Sequence, residues 1–326
     1  IFFFFFQAKN LTVMPKKLPK NSADYIVPLN INGLEGRLLH MPATKNKSSQ
    51  VEILFIYGHH SSLERWWGLV QVLNRYAPVT MPDMPAFGGM DSFYTIGKKP
   101  SIDNLADYLA AFIKMRYKRK KIVLAGMSFG FVVATRMLQK YPELTKKVVM
   151  MVSIVGFAHK DDFIFTKPRY HFYLQSGRVL SFKVPAFVFR HTALSTIVLK
   201  NFYGRTHNAK HKFAQAKDDE DLENIKNIEV GLWHDNDVRT WAYTSTQFLQ
   251  LDNCTKRINL PIWHVAAKND HFFNNHVVEQ HLMTIFTDFH GADIDLEAHA
   301  PSVIASEKDA APLVPLKLRR ALGRLS

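Results

Sequence analysis

The stretch Lys120–Met137, "KKIVLAGMSFGFVVATRM", decides the fold, because two hydrophobic patterns meet in it at a serine set between two glycines. Before Gly126 the apolar residues run without interruption, as in a strand buried on both faces. After Gly130, "FVVATRMLQKY" has the 3.6-residue spacing of a helix with one buried side. Gly126-Met127-Ser128-Phe129-Gly130 therefore matches G-x-S-x-G on a strand–turn–helix, the context in which that pattern has mechanical meaning. A serine forced onto so sharp a turn adopts unfavourable backbone angles. Glycines two residues to either side remove the side chains that would crowd it. The hydroxyl then stands clear of the sheet, and the following helix turns its N-terminal N–H groups toward the same point. The bland alternative, a small residue in a glycine-rich bend, explains the glycines but not the seam.

Outward from this seam the chain alternates strand and helix. "VEILFIYG" (51–58), "PVTMPD" (78–83) and "KKVVMMVSIVG" (146–156) read as buried strands. Between them, "LERWWGLVQVLNRYA" (63–77) carries Leu63, Trp66, Trp67, Val70 and Leu73 at helical spacing. A second helix opens on Ser101 as N-cap, with Ile102, Leu105, Leu109, Phe112 and Ile113 as its stripe. Upstream, "DYIVPLNINGLEGRLLHMP" predicts a hairpin turning at Asn32-Gly33. Such alternation means parallel βαβ units with helices on both faces of one sheet. It stops between 158 and 260, a stretch rich in Phe, Tyr, Leu and Val, where Asp237 is a candidate N-cap for "VRTWAYTSTQFLQL". It resumes with "LPIWHVAA" (260–267), a helix near 275–286 and a strand in "ADIDLEAH" (292–299). The expected division is a tail at 1–22, a core at 23–157 and 261–326, and a helical cap at 158–260 that packs over the sheet edge and encloses an apolar pocket.

An alcohol is a poor nucleophile at neutral pH and needs a base and a group to orient it. Above a sheet of this kind the acid and then the base follow the serine in the chain. Asp270 in "VAAKNDHFF" lies just beyond a strand, and His299 in "DLEAHAPS" lies on the last loop. Asp293 and Asp295 are rivals for the acid, placed in the strand that leads to His299. Backbone donors for an oxyanion are expected at Phe129, directly after the serine, and at His59 in "YGHHSS", where Gly58 permits close approach. His59 and His60 could instead be read as a metal pair. Adjacent side chains diverge and no carboxylate or cysteine stands nearby, so no metal and no cofactor is expected.

These residues carry a resemblance to the capped α/β-hydrolase fold superfamily over roughly 24 to 310: "YGHHSS", "DMPAFGGMD", "GMSFG", "KND" and "EAHAP". The resemblance implies an eight-stranded, mostly parallel sheet with a lid after the sixth strand. Two positions depart from it: Tyr57 stands where His is usual, and Ala86 where Gly is commoner. A serine at the elbow argues against the epoxide hydrolases and haloalkane dehalogenases of the superfamily, which use Asp there. The expected activity is hydrolysis of a carboxylic ester with an apolar acyl part. An acyltransferase or thioesterase on the same residues is one alternative, and a catalytically silent ligand-binding protein is another.

The 326 residues carry a formal charge of +14 and one cysteine, Cys254, which excludes an intrachain disulfide and fits a cytoplasmic setting. The opening "IFFFFFQAKN" is too short an apolar run to span a bilayer. It lacks an initiating Met, so export or anchoring stays open. From Ala158 to Lys217 there are eleven Lys/Arg against two Asp, with "YGRTHNAKHKFAQAK" (203–217) the densest part. No nucleic-acid motif accompanies these charges. Solvated surface is the bland reading, and contact of a basic cap with an anionic membrane the functional one. The partner otherwise expected is a small-molecule ester.

Overall fold

The computed structural model describes residues 22–43, 51–196, 198–199, 219–296, 299 and 306–325. The 1–21 tail, the 44–50 loop, the basic 203–217 segment and all of "EAHAP" except His299 lie outside the described residues. Eight strands form one sheet in the order β1-β2-β4-β3-β5-β6-β7-β8. β1 (Ile26–Ile31) and β2 (Leu34–Met41) are the expected hairpin, with Asn32 at φ 54° and Gly33 at φ 81°. Positive φ at both central residues is what a tight two-residue hairpin turn demands. β2 also runs antiparallel to β4 (Val79–Pro82). The remaining pairs are parallel: β4 with β3 (Val51–Ile56), then β5 (Lys121–Met127), β6 (Val148–Ile154), β7 (Ile258–Ala267) and β8 (Phe286–Ile294).

β5 is central, and residues 122–127 of it are all buried, which explains its unbroken apolar run. Helices cover both faces. α1 (Trp67–Asn74) packs with α9 (Glu307–Ala310) near the C-terminus, while α2 (Ile102–Arg116) packs with α3 (Phe129–Lys140). The Ser101 hydroxyl accepts the Asn104 N–H at 3.1 Å, closing the N-terminus of α2 as expected. α8 (Asn275–Ile285) runs directly into β8, and α10 (Leu316–Gly323) is the last helix.

That junction corrects one boundary. The final strand begins at Phe286 rather than near 292, and His299 lies five residues beyond its end. No glycine or proline separates the helical run from the strand, so an apolar pattern alone could not place the change. Of the two rival acids, only Asp293 lies in the strand, opposite Ala266.

Between β6 and β7 the chain leaves the sheet to form α4 (Lys167–Leu180), α5 (Lys183–His191), α6 (Asp219–Asp235) and α7 (Val238–Phe248). Asp237 caps α7, accepting the Thr240 N–H at 2.6 Å. The outgoing and returning chains meet at an antiparallel bridge between His159 and Asp252. The buried Asp162 carboxylate accepts the Ala158 and His159 N–H groups there and bonds the His281 ring of α8 at 2.6 Å. The insertion has a small core of its own around Ala186, Leu194, Leu199, Trp233 and Val238, separate from the large core of the sheet.

Candidate active site

β5 ends at Met127, and the chain turns into α3 through Ser128, whose φ of 47° and ψ of −118° are costly for any residue with a side chain. The neighbouring strand holds it there, for the Ser128 N–H donates to the Ile154 carbonyl at 2.9 Å. The two glycines serve this turn in a way the pattern did not reveal. A Cβ at Gly126 would sit 2.5 Å from the Phe131 Cα, and one at Gly130 would collide with the carbonyls of Ile56 and Tyr57 at the end of β3. What must vanish is therefore less the crowding of Ser128 itself than the bulk between helix and sheet.

The carboxyl ends of the parallel strands deliver the other residues to the same edge, where open α/β sheets hold their ligands. Asp270 follows β7 in a tight turn, its N–H bonded to the Ala267 carbonyl at 3.2 Å. His299 lies on the segment after β8. Its Nε2 is 2.9 Å from Ser128 Oγ and its Nδ1 is 2.6 Å from Asp270 Oδ2. The second carboxylate oxygen, Oδ1, accepts the N–H groups of Phe272 at 2.8 Å and Phe273 at 3.3 Å. Burial alone would raise the Asp270 carboxyl. The His299 ring and the two backbone donors outweigh it and hold the group below the ordinary carboxylate value. The rings of Phe272 and Phe273, 5.6 and 5.1 Å from the imidazole, wall the pair off.

The loop after β3 approaches from the other side. A Cβ at Gly58 would lie 3.4 Å from the Ser128 Cβ, so the chain passes against the serine and carries His59 with it. Phe129 is the first residue of α3, and a first-turn N–H has no carbonyl one turn back to bond. The His59 and His60 side chains part at once. His59 Nε2 meets the Thr244 hydroxyl of α7 at 2.7 Å, and His60 packs on Trp233 with ring centroids 4.0 Å apart. Since the Thr244 hydroxyl donates to the Thr240 carbonyl at 2.8 Å, it accepts from His59, whose proton is thereby fixed on Nε2. Burial pushes the His59 ring down to about 3, so it stays neutral.

Tyr57 and Ala86, the two departures, are also explained. The Tyr57 phenol donates to Asp83 Oδ1 at 2.9 Å and accepts the Met84 N–H at 2.8 Å, tying the loop after β3 to the loop after β4. Arg37 reaches the other Asp83 oxygen at 3.0 Å. Ala86 sits at φ 73°, a conformation that favours glycine, and its carbonyl accepts the Asp237 N–H at the start of α7.

A cavity of about 490 Å³ opens over Ser128 and His299. Phe163, Phe165, Tyr173, Leu180, Trp241 and Phe248 of the inserted segment form much of its wall. The aromatics of the insertion thus divide. Some line the cavity, some such as Phe189 pack within the insertion, Trp233 does both, and some face solvent. Composition could not make that division, because an apolar side chain on either side of a helix reads the same. Periodicity in α4 could have, had the direction of the cavity been known.

Comparison with known proteins follows the same lines. The sequence profile of the alpha/beta hydrolase fold matches residues 52–281. A pimeloyl-[acyl-carrier protein] methyl ester esterase of Wigglesworthia glossinidia brevipalpis is 27% identical over 115 residues, 35% of this chain and 41% of that protein. The match thus spans about two fifths of that relative's length. A thermophilic esterase from Thermogutta terrifontis superimposes with a TM-score of 0.60 at 14% identity, over 92% of this chain and 98% of that one. The epoxide hydrolase CorEH gives 0.63 at 13% identity, over 91% and 97%. At such identities the likeness speaks for the fold, and the profile match over most of the chain assigns the protein to the alpha/beta hydrolase fold family.

Proposed function

We propose that this member of a hydrolase family is a serine hydrolase that cleaves carboxylic esters with an apolar acyl part. The observation that carries the reading is the hydrogen-bonded chain Ser128–His299–Asp270, at 2.9 and 2.6 Å, on the floor of an apolar cavity.

In this mechanism the His299 Nε2 takes the Ser128 proton as Oγ attacks the ester carbonyl carbon. Asp270, held ionised, keeps the Nδ1 proton in place and stabilises the imidazolium that forms. The carbonyl oxygen becomes an oxyanion received by the N–H groups of Phe129 and His59. Collapse of the tetrahedral adduct breaks the ester C–O bond, and the imidazolium hands its proton to the leaving alcohol. Water, deprotonated by the same ring, then attacks the acyl-enzyme and releases the acid and Ser128. Helices α4 to α7 act as the cap, whose aromatic wall takes the acyl part and keeps bulk water from it. The methyl ester esterase among the relatives supports an ester as substrate class. Ser128 at the elbow disfavours the epoxide chemistry of the other neighbour.

A fluorophosphonate probe, which reacts with activated serines, provides the test. Labelling of the wild-type chain that is absent from Ser128→Ala is the expected result, together with turnover of nitrophenyl esters across a series from acetate to palmitate. Labelling that persists in Ser128→Ala, or an ester burst that His299→Ala leaves untouched, overturns the assignment.

A further inference from the structure

We propose that the outer face of the α4–α5 hairpin docks on anionic lipid, with its apolar side chains in the headgroup boundary and its cations on the phosphates.

Two features coincide on this hairpin. The first is exposed apolar surface. Phe172, Phe182, Val184 and Phe187 are each 62 to 71% exposed, and Val179 and Val188 are more than half exposed. They are not scattered. Phe172 and Val179 are seven residues apart on α4, one stripe of a helix. Val184, Phe187 and Val188 stand at i, i+3 and i+4 on α5. Phe182 joins the two helices, which pack against each other. The opposite side of α5 is already used: Ala186 is buried in the insertion's own core, and Arg190 donates to the carbonyls of Asn236 and His234. Single exposed apolar residues are ordinary, but a ridge of six on two adjacent helices needs a partner.

The second feature is charge of one sign. From Phe163 to Thr192 the chain holds Lys167, Arg169, Arg178, Lys183 and Arg190 and no Asp or Glu. Lys167, Arg178 and Lys183 are exposed. This pairing chooses the occupant. A second copy of the hairpin would bring like charges together, which opposes association. An amphipathic helix pair with Phe and Val on its outer side and Lys and Arg beside them is the pattern of a helix that lies in a membrane surface rather than across it. Each cation near an anionic leaflet adds to an attraction that salt screens. Among the described residues no helix is long and apolar enough to cross a bilayer.

The position of α4 gives the contact a purpose. Tyr173, Ser176, Gly177 and Leu180, on another side of the same helix, line the cavity over Ser128. A chain docked through Phe172 and Val179 would hold its cavity one helix away from lipid, where esters with long acyl chains partition. This delivery step rests on the serine-hydrolase reading, whereas the docking does not, so the two can fail separately.

Sedimentation with vesicles decides the docking. The whole chain should bind vesicles of phosphatidylcholine with about 30% phosphatidylglycerol at about 50 mM salt, and binding should fall at least about tenfold at 0.5 M salt or on pure phosphatidylcholine. Phe182→Ser with Phe187→Ser should lower the partition coefficient about tenfold or more, and Arg178→Glu with Lys183→Glu should abolish the preference for anionic lipid. Neither pair touches the cavity, so turnover of a short soluble ester should be unchanged. Absent binding, or binding indifferent to salt and lipid charge, overturns the proposal without need of any variant. A dimer in light scattering that the Phe pair dissolves would also overturn it, by giving the ridge to a second copy.

Discussion

The Tyr57 phenol and the Asp83 carboxylate meet at 2.9 Å in the interior, 26 positions apart in the chain and on loops that flank the same edge of the sheet. Both side chains are closed to solvent, at 1% and 0% exposure. The phenol also accepts the Met84 N–H, so one hydroxyl satisfies two buried groups while fixing the residue next to Gly58.

Tyr57→Phe keeps the ring and removes that hydroxyl, leaving Asp83 Oδ1 and the Met84 N–H unmet. The expected cost is about 2 kcal/mol of folding stability. Because the loop that carries His59 loses its anchor, kcat for a soluble ester should fall more than KM changes. Urea denaturation with steady-state kinetics on the same preparation checks both, and an unaltered unfolding midpoint would show that the pair contributes nothing.

Asp270→Asn should leave the fold intact and lower kcat by about 10³- to 10⁴-fold. The amide offers the His299 Nδ1 no charge, and the ring can settle in the tautomer that cannot take the Ser128 proton. KM should move little, since Asp270 touches no part of the substrate, and fluorophosphonate labelling should slow in step with kcat. A variant that retains a tenth or more of wild-type turnover would mean that another group orients His299.

Much of this was legible in the sequence, and the reasons are physical. β5 sits between two parallel neighbours and is buried on both faces, so its residues had to be apolar throughout. The glycines of the elbow are obligatory because backbone, not side chain, occupies the space beside them. Strand order fixes which loops reach Ser128, and it is along those loops that the chain brings Asp270 and His299 to it. What stayed hidden depends on contacts across the fold. Nothing local in "YGHHSS" says that His59 will bond Thr244, 185 positions on. Nothing in α4 distinguishes Tyr173, which lines the cavity, from Phe172, which faces solvent. The start of β8 is not legible locally, because the apolar run from α8 crosses the boundary without a breaker.

Two glycine substitutions separate packing from propensity. Gly130→Ala drives a methyl group into the Ile56 and Tyr57 carbonyls, rigid strand backbone that cannot give way. A loss of about 3 kcal/mol or more is expected, seen as an insoluble chain or a collapsed melting temperature. Gly231 lies inside α6 with open space where a Cβ would go. There Ala should stabilise by about 0.5 to 1 kcal/mol through helix propensity alone. Equal melting temperatures for the two variants would contradict the close approach of α3 to β3.

Acid should cost this protein stability through its buried histidines. Burial pushes the His264 ring down to about 4 and the His59 ring down to about 3, against an ordinary value of 6.5. Above pH 6.5 the rings are neutral in the folded and unfolded chains alike, and their contribution is intact. Below it the unfolded chain takes up protons that the folded one refuses, so each ring removes about 1 kcal/mol per pH unit until its folded value is reached. Asp83 works in the opposite sense. Its burial, only partly offset by Arg37 and Tyr57, raises its carboxyl to about 8, so the folded chain binds that proton first and gains stability as pH falls from 8 toward 4. The informative quantity is therefore a difference. His264→Asn, which can keep a hydrogen bond to the Ser153 hydroxyl, should flatten the dependence of unfolding free energy on pH between 6.5 and 4 by about 1 kcal/mol per unit relative to wild type. Parallel curves for the two chains would mean that the His264 ring is protonated as readily in the fold as out of it.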